Sequence, residues 1–480
     1  MSAEVQGKNP SVVERRALGK EARKRVPRAA HAGLSPARGR PDPIALLAAQ
    51  DATREQDLVP IRYGRMSVSP FTFYRGSAGV MAADLASAPR SGLTVQLCGD
   101  AHLSNFGAYA SPERTLLFDL NDFDETLPGP FEWDVKRLVA SFVVAGRGNG
   151  FAAAVSREAA LAAARSYREH MREYAAMRDL EVWYSRVTAD DALALARAAT
   201  AAGGEAAKAA AKAKRAATAA TLALKTEQNI AKTRSRDNLQ AFAKLTEVVD
   251  GVRRIREDPP LLLRVDIAGD EMRQIVRTAF ADYKRTLVDD RRVLVERYEF
   301  VDLARKVVGV GSVGTLCLIA LLTGRDDGDP LFLQLKQAST SVLEAHLGRS
   351  VFRNAGHRVV AGQRIMQAQS DIFLGWMQGS GAAHRDFYWR QLRDMKGSAD
   401  ILALKPRGLT LYAELCGWCM ARAHARSGDR IAIASYLGAG DRFDRALADF
   451  GEVYADRAEK DHGRLMAAIK KGTVKAQTGL

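Results

Sequence analysis

Apolar and polar positions change their period several times along the chain, and those changes divide it. Residues 51–90 form a mixed segment, with RMSVSPFTFYRG followed by SAGVMAADLA, a short helical pattern. Residues 93–125 then set two strand-like runs, LTVQLCG and TLLFDL, around a polar loop. Loops held by a rigid sheet often present functional side chains. From Trp133 to about Leu263 the pattern is helical and Ala-rich. At Val307 it returns to strands and turns, with VVGVGSVGT, LCLIALLTG, a DDGDP turn and LFLQLKQA. Residues 356–396 extend this with the strand-like HRVVAGQRIMQA and DFYWRQL, and from Leu409 the chain is helical again. No repeat of fixed period is present. The pattern predicts an α+β protein with a basic disordered arm over 1–45 and a loop-bearing segment over 46–150. A mainly helical region with a basic insertion follows over 151–300, then a glycine-loop β-rich lobe over 301–400 and C-terminal helices over 401–480.

Length and composition narrow the class. The 480 residues are 47% hydrophobic and 26% charged, which excludes a fibre, a disulfide-stapled peptide and a wholly disordered chain. The net charge of +15 is unevenly spread. Residues 1–40 carry ten Lys/Arg against three acids, and residues 201–236 carry eight against two. Both runs read as solvated faces, with a polyanion-binding surface as the alternative. Four cysteines do not make a disulfide framework, and Cys416 and Cys419 sit in a helix-like run, LYAELCGWCMARAHA, as small core residues. The longest uncharged stretch, 307–324, spans 18 residues but contains four glycines. No secretory h-region follows the basic start. A soluble cytoplasmic protein with no membrane partner is expected.

The densest chemistry lies between Cys98 and Glu125. Gly99-Asp100-Ala101-His102-Leu103-Ser104-Asn105 places an Asp five residues before an Asn. In a tight loop both side chains face one pocket, where the Asp accepts a proton from a hydroxyl and the Asn oxygen ligates a hard cation. A carboxylate at the end of the next strand completes a magnesium site, because that ion binds through one or two carboxylates plus phosphate oxygens. Asp119, Asp122, Asp124 and Glu125 crowd together there and repel unless a cation neutralises them. A pair of Asx-turns is the structural alternative. Arg75 is read either as facing a phosphate or as a surface arginine.

Gly-Asp-Ala-His-Leu-Ser-Asn-Phe followed by Asn-Asp-Phe-Asp resembles the catalytic and metal loops of aminoglycoside phosphotransferase-like kinases. The resemblance implies Asp100 as the base that positions an acceptor hydroxyl. It implies Asn105 and Asp122 as magnesium ligands, with Asp119 or Asp124 as substitutes for Asp122. Cys98 stands where that group usually has His. The run from Pro130 to Arg137 resembles the Asp-bearing helix start that supports the loop in those enzymes.

Gly309-Val310-Gly311-Ser312-Val313-Gly314 is a Gly-x-Gly-x-x-Gly between apolar runs. Protein kinases follow such a turn with a return strand and then a strand bearing a lysine. Here LFLQLK supplies Lys336, and Glu344 follows too soon to be its partner. Kinases place the glycine turn before the catalytic loop, whereas Asp100 precedes Gly309. Circular permutation reconciles the two. The resemblance therefore implies a two-lobed, protein-kinase-like fold with an Ala-rich helical insertion.

From about Gly19 to His462 the chain also resembles an uncharacterised bacterial family catalogued as domain of unknown function 2252. The stretches RPDPIALL, LVPIRYGRMSVSPFTFYRGSAGVMAADL, CGDAHLSNFG, SPERTLLFDLNDFDETLPGPFEWDVKRL, KVVGVGSVGT, QRIMQAQSDIFLGW, FYWRQLRDMKGS and ARAHARSGD carry the match. The expected function is an ATP- and magnesium-dependent phosphotransferase acting on an unidentified hydroxyl acceptor. Two alternatives stand beside it: a non-catalytic, nucleotide-binding pseudokinase-like protein, and a nucleic-acid-associated protein using the basic arm and helix.

Overall fold

A computed structural model describes residues 9–34, 39–201, 227, 228, 230–233, 238–379, 385–392 and 395–480. The protein is mixed α+β, 52% helix and 16% strand, with several antiparallel sheets. Helix α1 (Val12–Arg25) starts with a capping box, in which the Ser11 side chain accepts from Glu14 N–H and Glu14 accepts from Ser11 N–H. Four short helices follow: α2 (Pro43–Asp51), α3 (Val59–Ser67), α4 (Pro70–Arg75) and α5 (Ala78–Ala86). Proline at the start of α2, α3 and α4 sets each entry, where its missing N–H removes no helical bond.

The loop-bearing segment supplies β1 (Thr94–Leu97), β2 (Phe106–Ala110), β3 (Leu116–Leu120) and β4 (Leu127–Pro130), then the long helices α6 (Phe131–Gly148) and α7 (Ala153–Ala176). A second region holds β5 (Leu262–Arg264), helix α8 (Asp270–Arg285), β6 (Glu299–Lys306), β7 (Cys317–Thr323) and β8 (Pro330–Ala338). After these come α9 (Ala355–Met366), β9 (Gly375–Gln378), β10 (Asp386–Gln391) and β11 (Gly397–Ser398). The chain closes with α10 (Pro406–Ser427), α11 (Arg430–Leu437) and α12 (Arg442–Lys470).

Two bodies result. A six-stranded antiparallel sheet runs in the order β9-β10-β8-β7-β6-β5. Every residue of its central strand β8 is buried. Leu331, Leu333 and Leu335 point to the face covered by Tyr283 of α8, while Phe332 joins Ile319 and Leu321 on the other. Each such leucine stabilises the sheet by roughly 1.5–3 kcal/mol. The other body is helical. Helices α6, α7, α10 and α12 enclose a core that extends to β1, to the 98–106 loop and to Phe123. That core joins segments from both ends of the chain, so the C-terminal helices do not form a unit of their own.

Several expectations change. The basic arm is ordered over residues 9–34: Arg23 donates to Tyr436 O (2.8 Å), and His31 Nε2 meets Tyr436 Oη at 2.6 Å, so its basic groups satisfy the end of α11. HRVVAGQRIMQA is helix α9, not strand. Gly356, Val359, Val360, Gln363 and Met366 fall on one buried helical face, and Asn354 caps the start by accepting from His357 N–H. Hairpin strands at Thr246–Val249 and Val252–Ile255 interrupt the expected helical region. The basic 201–236 run lies almost entirely outside the described residues. The 307–324 stretch is a turn leading into β7, and no helix among the described residues is long and apolar enough to cross a membrane.

Candidate functional site

The cleft is built first by the loop before β2. Gly99 has φ +83°, and a Cβ there would lie 2.4 Å from Glu125 O, so only glycine fits. Asp134, in the first turn of α6, accepts from Cys98 N–H (2.8 Å) and Gly99 N–H (3.1 Å). It fixes the main chain directly before Asp100 while the Cys98 side chain packs in the core. One turn along α6, Arg137 donates from Nε to Asp100 Oδ1 at 2.7 Å. Asn105 donates its amide to Asp100 O (2.8 Å), which leaves its side-chain oxygen without a donor among the described residues. His102 packs beneath, 3% exposed, with Nε2 3.8 Å from Asp100 Oδ2.

The acidic run splits into different roles. Asp119, 1% exposed, accepts from Arg422 (2.7 and 2.9 Å), Cys419 Sγ (3.1 Å) and Ala368 N–H (2.8 Å). As a strand residue it points into the helical core and does not reach the cleft, which removes it as a substitute for Asp122. Asp122 and Asp124 both line the cleft. Asp124 accepts from Tyr388 Oη (2.8 Å) and pairs with Lys336. Burial works to raise its carboxyl, but Lys336 and Tyr388 outweigh burial and hold it below the ordinary range. Asp122 accepts only Asp124 N–H (3.2 Å) among the described residues. Burial and the neighbouring Asp124 charge push its carboxyl upward, against Lys336 and Arg390. Burial likewise raises Asp100, against Arg137 and Arg75.

The sheet reaches the cleft through Gln337 of β8 and backs Asp124 with the polar face of that strand. Strand alternation puts Gln334 and Lys336 of β8 on one face with their cross-strand partners Arg390 and Tyr388 of β10. Arg390 bonds Gln334 Oε1 (2.9 Å) and Asn121 O (3.2 Å). Lys336, 2% exposed, stays cationic because Asp122 and Asp124 overcome burial. Its partner is Asp124; Glu344 instead accepts from Ser341 N–H.

Between β6 and β7 the glycine turn reaches the same cleft through Gly309, Val310, Gly311 and Ser312. Its carbonyls are held from outside: Arg65 donates to Gly309 O (2.7 Å), Arg54 to Val313 O (2.5 Å) and Glu55 N–H to Gly314 O (2.7 Å). Gly314, φ +92°, packs against the Arg54 side chain and does not line the cleft. A Cβ on Gly311 would stand 3.0 Å from Arg75 O. Arg75 forms part of the third wall. Its Nε is buried without a hydrogen-bond partner, and its charge acts on Asp100 and Asp122.

The cleft so enclosed has a volume of about 450 Å³. It brings together Asp100, Asn105, Asp122, Asp124, Gly309 and Gly311, with Lys336 directly behind Asp124. Pattern reading missed Tyr388, Gln334 and the anchoring arginines Arg54 and Arg65; the Gln-x-Lys spacing in LFLQLK was the available signal for a polar strand face.

Among the described residues no three His, Cys, Asp or Glu side chains are grouped to hold a metal ion. A dedicated protein cage is therefore absent there. The Asn105–Asp122 pair instead suits an ion such as Mg²⁺, which keeps waters and takes its remaining oxygens from phosphate. The mutual repulsion of Asp122 and Asp124 is the feature such an ion relieves.

No curated protein and no solved structure matches the chain. The family model for an uncharacterized protein conserved in bacteria (DUF2252) matches residues 54–468. That span takes in the acidic loops, the glycine turn and Lys336, while Leu46, Ala49, Gln50 and Thr53 of the cleft lining precede it; the chain belongs to this family.

Proposed function

We propose that the protein is an ATP- and magnesium-dependent phosphotransferase acting on a hydroxyl acceptor, with a kinase-like arrangement in permuted order. The observation that carries this reading is convergence: segments some two hundred residues apart in sequence, 99–125 and 309–336, line one cleft. The strand–glycine turn–strand–lysine order of β6 to β8 supports it, because glycine amides and a lysine suit phosphate oxygens.

In this reading Asp100 takes the proton of the acceptor hydroxyl as its oxygen forms a bond to the γ-phosphorus. The bond from that phosphorus to the bridging oxygen breaks, and ADP leaves with the electron pair. Arg137 holds Asp100 in place and keeps its carboxylate oriented. Lys336 positions Asp124 and contributes positive charge near the phosphates, with Arg75 on the third wall. Mg²⁺ held by Asn105 and Asp122 would offset the charge on the phosphate oxygens. Asp100→Asn should abolish ATP turnover while ATP still binds, and because it also takes the counter-charge from buried Arg137 it should lower the thermal unfolding midpoint; full residual turnover in the folded variant removes Asp100 from the mechanism.

A second reading, nucleotide binding without transfer, draws on the Arg137–Asp100 contact, which already occupies one carboxylate oxygen. ATP-dependent thermal stabilisation with no loss of γ-phosphate in the wild type would favour it.

A further inference from the structure

A second cavity, of about 630 Å³, opens beyond the end of β8. It shares Thr53, Arg54, Gln337, Ser339 and Thr340 with the cleft, so the two spaces adjoin. Its charged lining is Arg54, Arg349, Arg353, Arg358 and Arg385 against Glu344 and Asp386.

Both acids have other duties. Asp386 accepts from Asn354 Nδ2 and Ala355 N–H, each at 2.7 Å, and so occupies the start of α9. Glu344 accepts from Ser341 N–H (3.2 Å) and Ser350 N–H (3.1 Å). Arg385 is paired with Glu55 at 2.5 Å. Arg54 lies 3.6 Å from Asp51, a carboxylate that Arg62 holds at 2.6 Å.

Arg358 differs from these. It is 2% exposed and donates to three main-chain oxygens, those of Asp124, Thr126 and Ser339. Its one ion-pair contact among the described residues is Glu344 at 3.9 Å, and its Nε has no hydrogen-bond partner. Arg349 and Arg353 stand exposed on the rim, with no hydrogen bond or ion pair among the described residues. Glu125 and Glu344 are the carboxylates whose charge acts most on Arg358, but neither hydrogen-bonds it among the described residues, and an anion would supply the partner its Nε lacks.

We propose that this cavity binds the anionic group of the acceptor, a small molecule bearing a phosphate or carboxylate together with the hydroxyl that reaches Asp100. Its volume falls in the range of small-ligand pockets, roughly 300–1,000 Å³. The word acceptor rests on the phosphotransferase reading; the anion site itself does not.

The test is calorimetric titration of the full chain, already saturated with ADP and Mg²⁺, with inorganic phosphate and separately with succinate. Phosphate binding alone assigns a phosphorylated acceptor, and succinate binding alone a carboxylated one. The double variant R349E/R353E should weaken whichever anion binds at least tenfold and leave ADP affinity unchanged. R349Q/R353Q, which adds no repulsive charge, should show a smaller loss in the same direction. The proposal is overturned when neither anion binds the wild type, or when both variants bind as it does. If ADP fails to bind while an arginine-dependent anion site remains, the phosphotransferase reading falls and the anion site stands.

Discussion

The helical body and the sheet treat buried polar groups in opposite ways. Arg–Asp pairs with a buried carboxylate run through the helices: Arg62–Asp51 between α3 and α2, Arg40–Asp84, Arg168–Asp444 and Arg422–Asp119 all close within 3 Å. In the sheet, by contrast, buried polar side chains are few among the described residues. Asp302 accepts from Ile255 N–H, and the others, Gln334, Lys336, Gln337 and Gln391, lie on the two strands that flank the cleft. A buried carboxylate in the helical body is therefore ordinary architecture. A buried cation in the sheet points to the cleft.

Asp119 and Asp122 make that contrast sharpest, because they lie three residues apart. Asp122→Asn should reduce magnesium-dependent turnover about a hundred- to a thousandfold with little change in stability. Asp119→Asn should do the reverse, destabilising by roughly 3–5 kcal/mol because it strands Arg422 without its counter-charge. Parallel measurements of turnover and denaturant unfolding on both variants check the pair. Equal effects on stability would erase the distinction.

Lys336→Met bridges the two bodies. It should lower ATP affinity about tenfold or more and, by leaving Asp124 buried without its cation, destabilise by a few kcal/mol. Adding Asp124→Asn should recover much of the stability and none of the affinity. A double variant as unstable as the single one would place the stabilising contact elsewhere.

A smaller effect comes from His31, buried in the helical body. Burial and then Lys136 push its imidazole down to about 3. The folded protein thus keeps His31 neutral while the unfolded chain takes up a proton below about 6.5. Its contribution is intact above that pH and is lost as pH falls from there toward 3, by up to about 1.4 kcal/mol per pH unit. Unfolding midpoints at pH 7 and pH 5 should converge in His31→Gln relative to the wild type. Smallest of all, Asn354→Ala should remove the α9 cap and reduce stability by about 1 kcal/mol. No change on thermal unfolding would make the cap dispensable.

Much of the site was legible because its chemistry sits in short, dense motifs. Asp100, Asn105 and Asp122 stand in one polar loop system between apolar runs, and Lys336 lies near the end of a strand that turns polar at Gln334 and Lys336. Three parts were not legible. Asp119 looks like its neighbours in sequence, and only the side of β3 on which it falls sends it to Arg422. Helix α9 was misread because Val359, Val360 and Ile365 suit a strand, whereas long-range packing and the Asn354 cap decide for helix. The hold of Arg54, Glu55 and Arg65 on the glycine turn joins residues some 250 positions apart, and no local period records such a contact.

The central claim is that the two walls close on one magnesium–triphosphate. Calorimetric titration of ATP into the full chain, with Mg²⁺ and then with the metal chelated, tests it most directly when repeated on Asp122→Asn and Lys336→Met. The account predicts binding that strengthens markedly with Mg²⁺, loses that enhancement in Asp122→Asn, and weakens with or without metal in Lys336→Met. ATP binding that is absent from the wild type, or indifferent to the metal and to both substitutions, would contradict it.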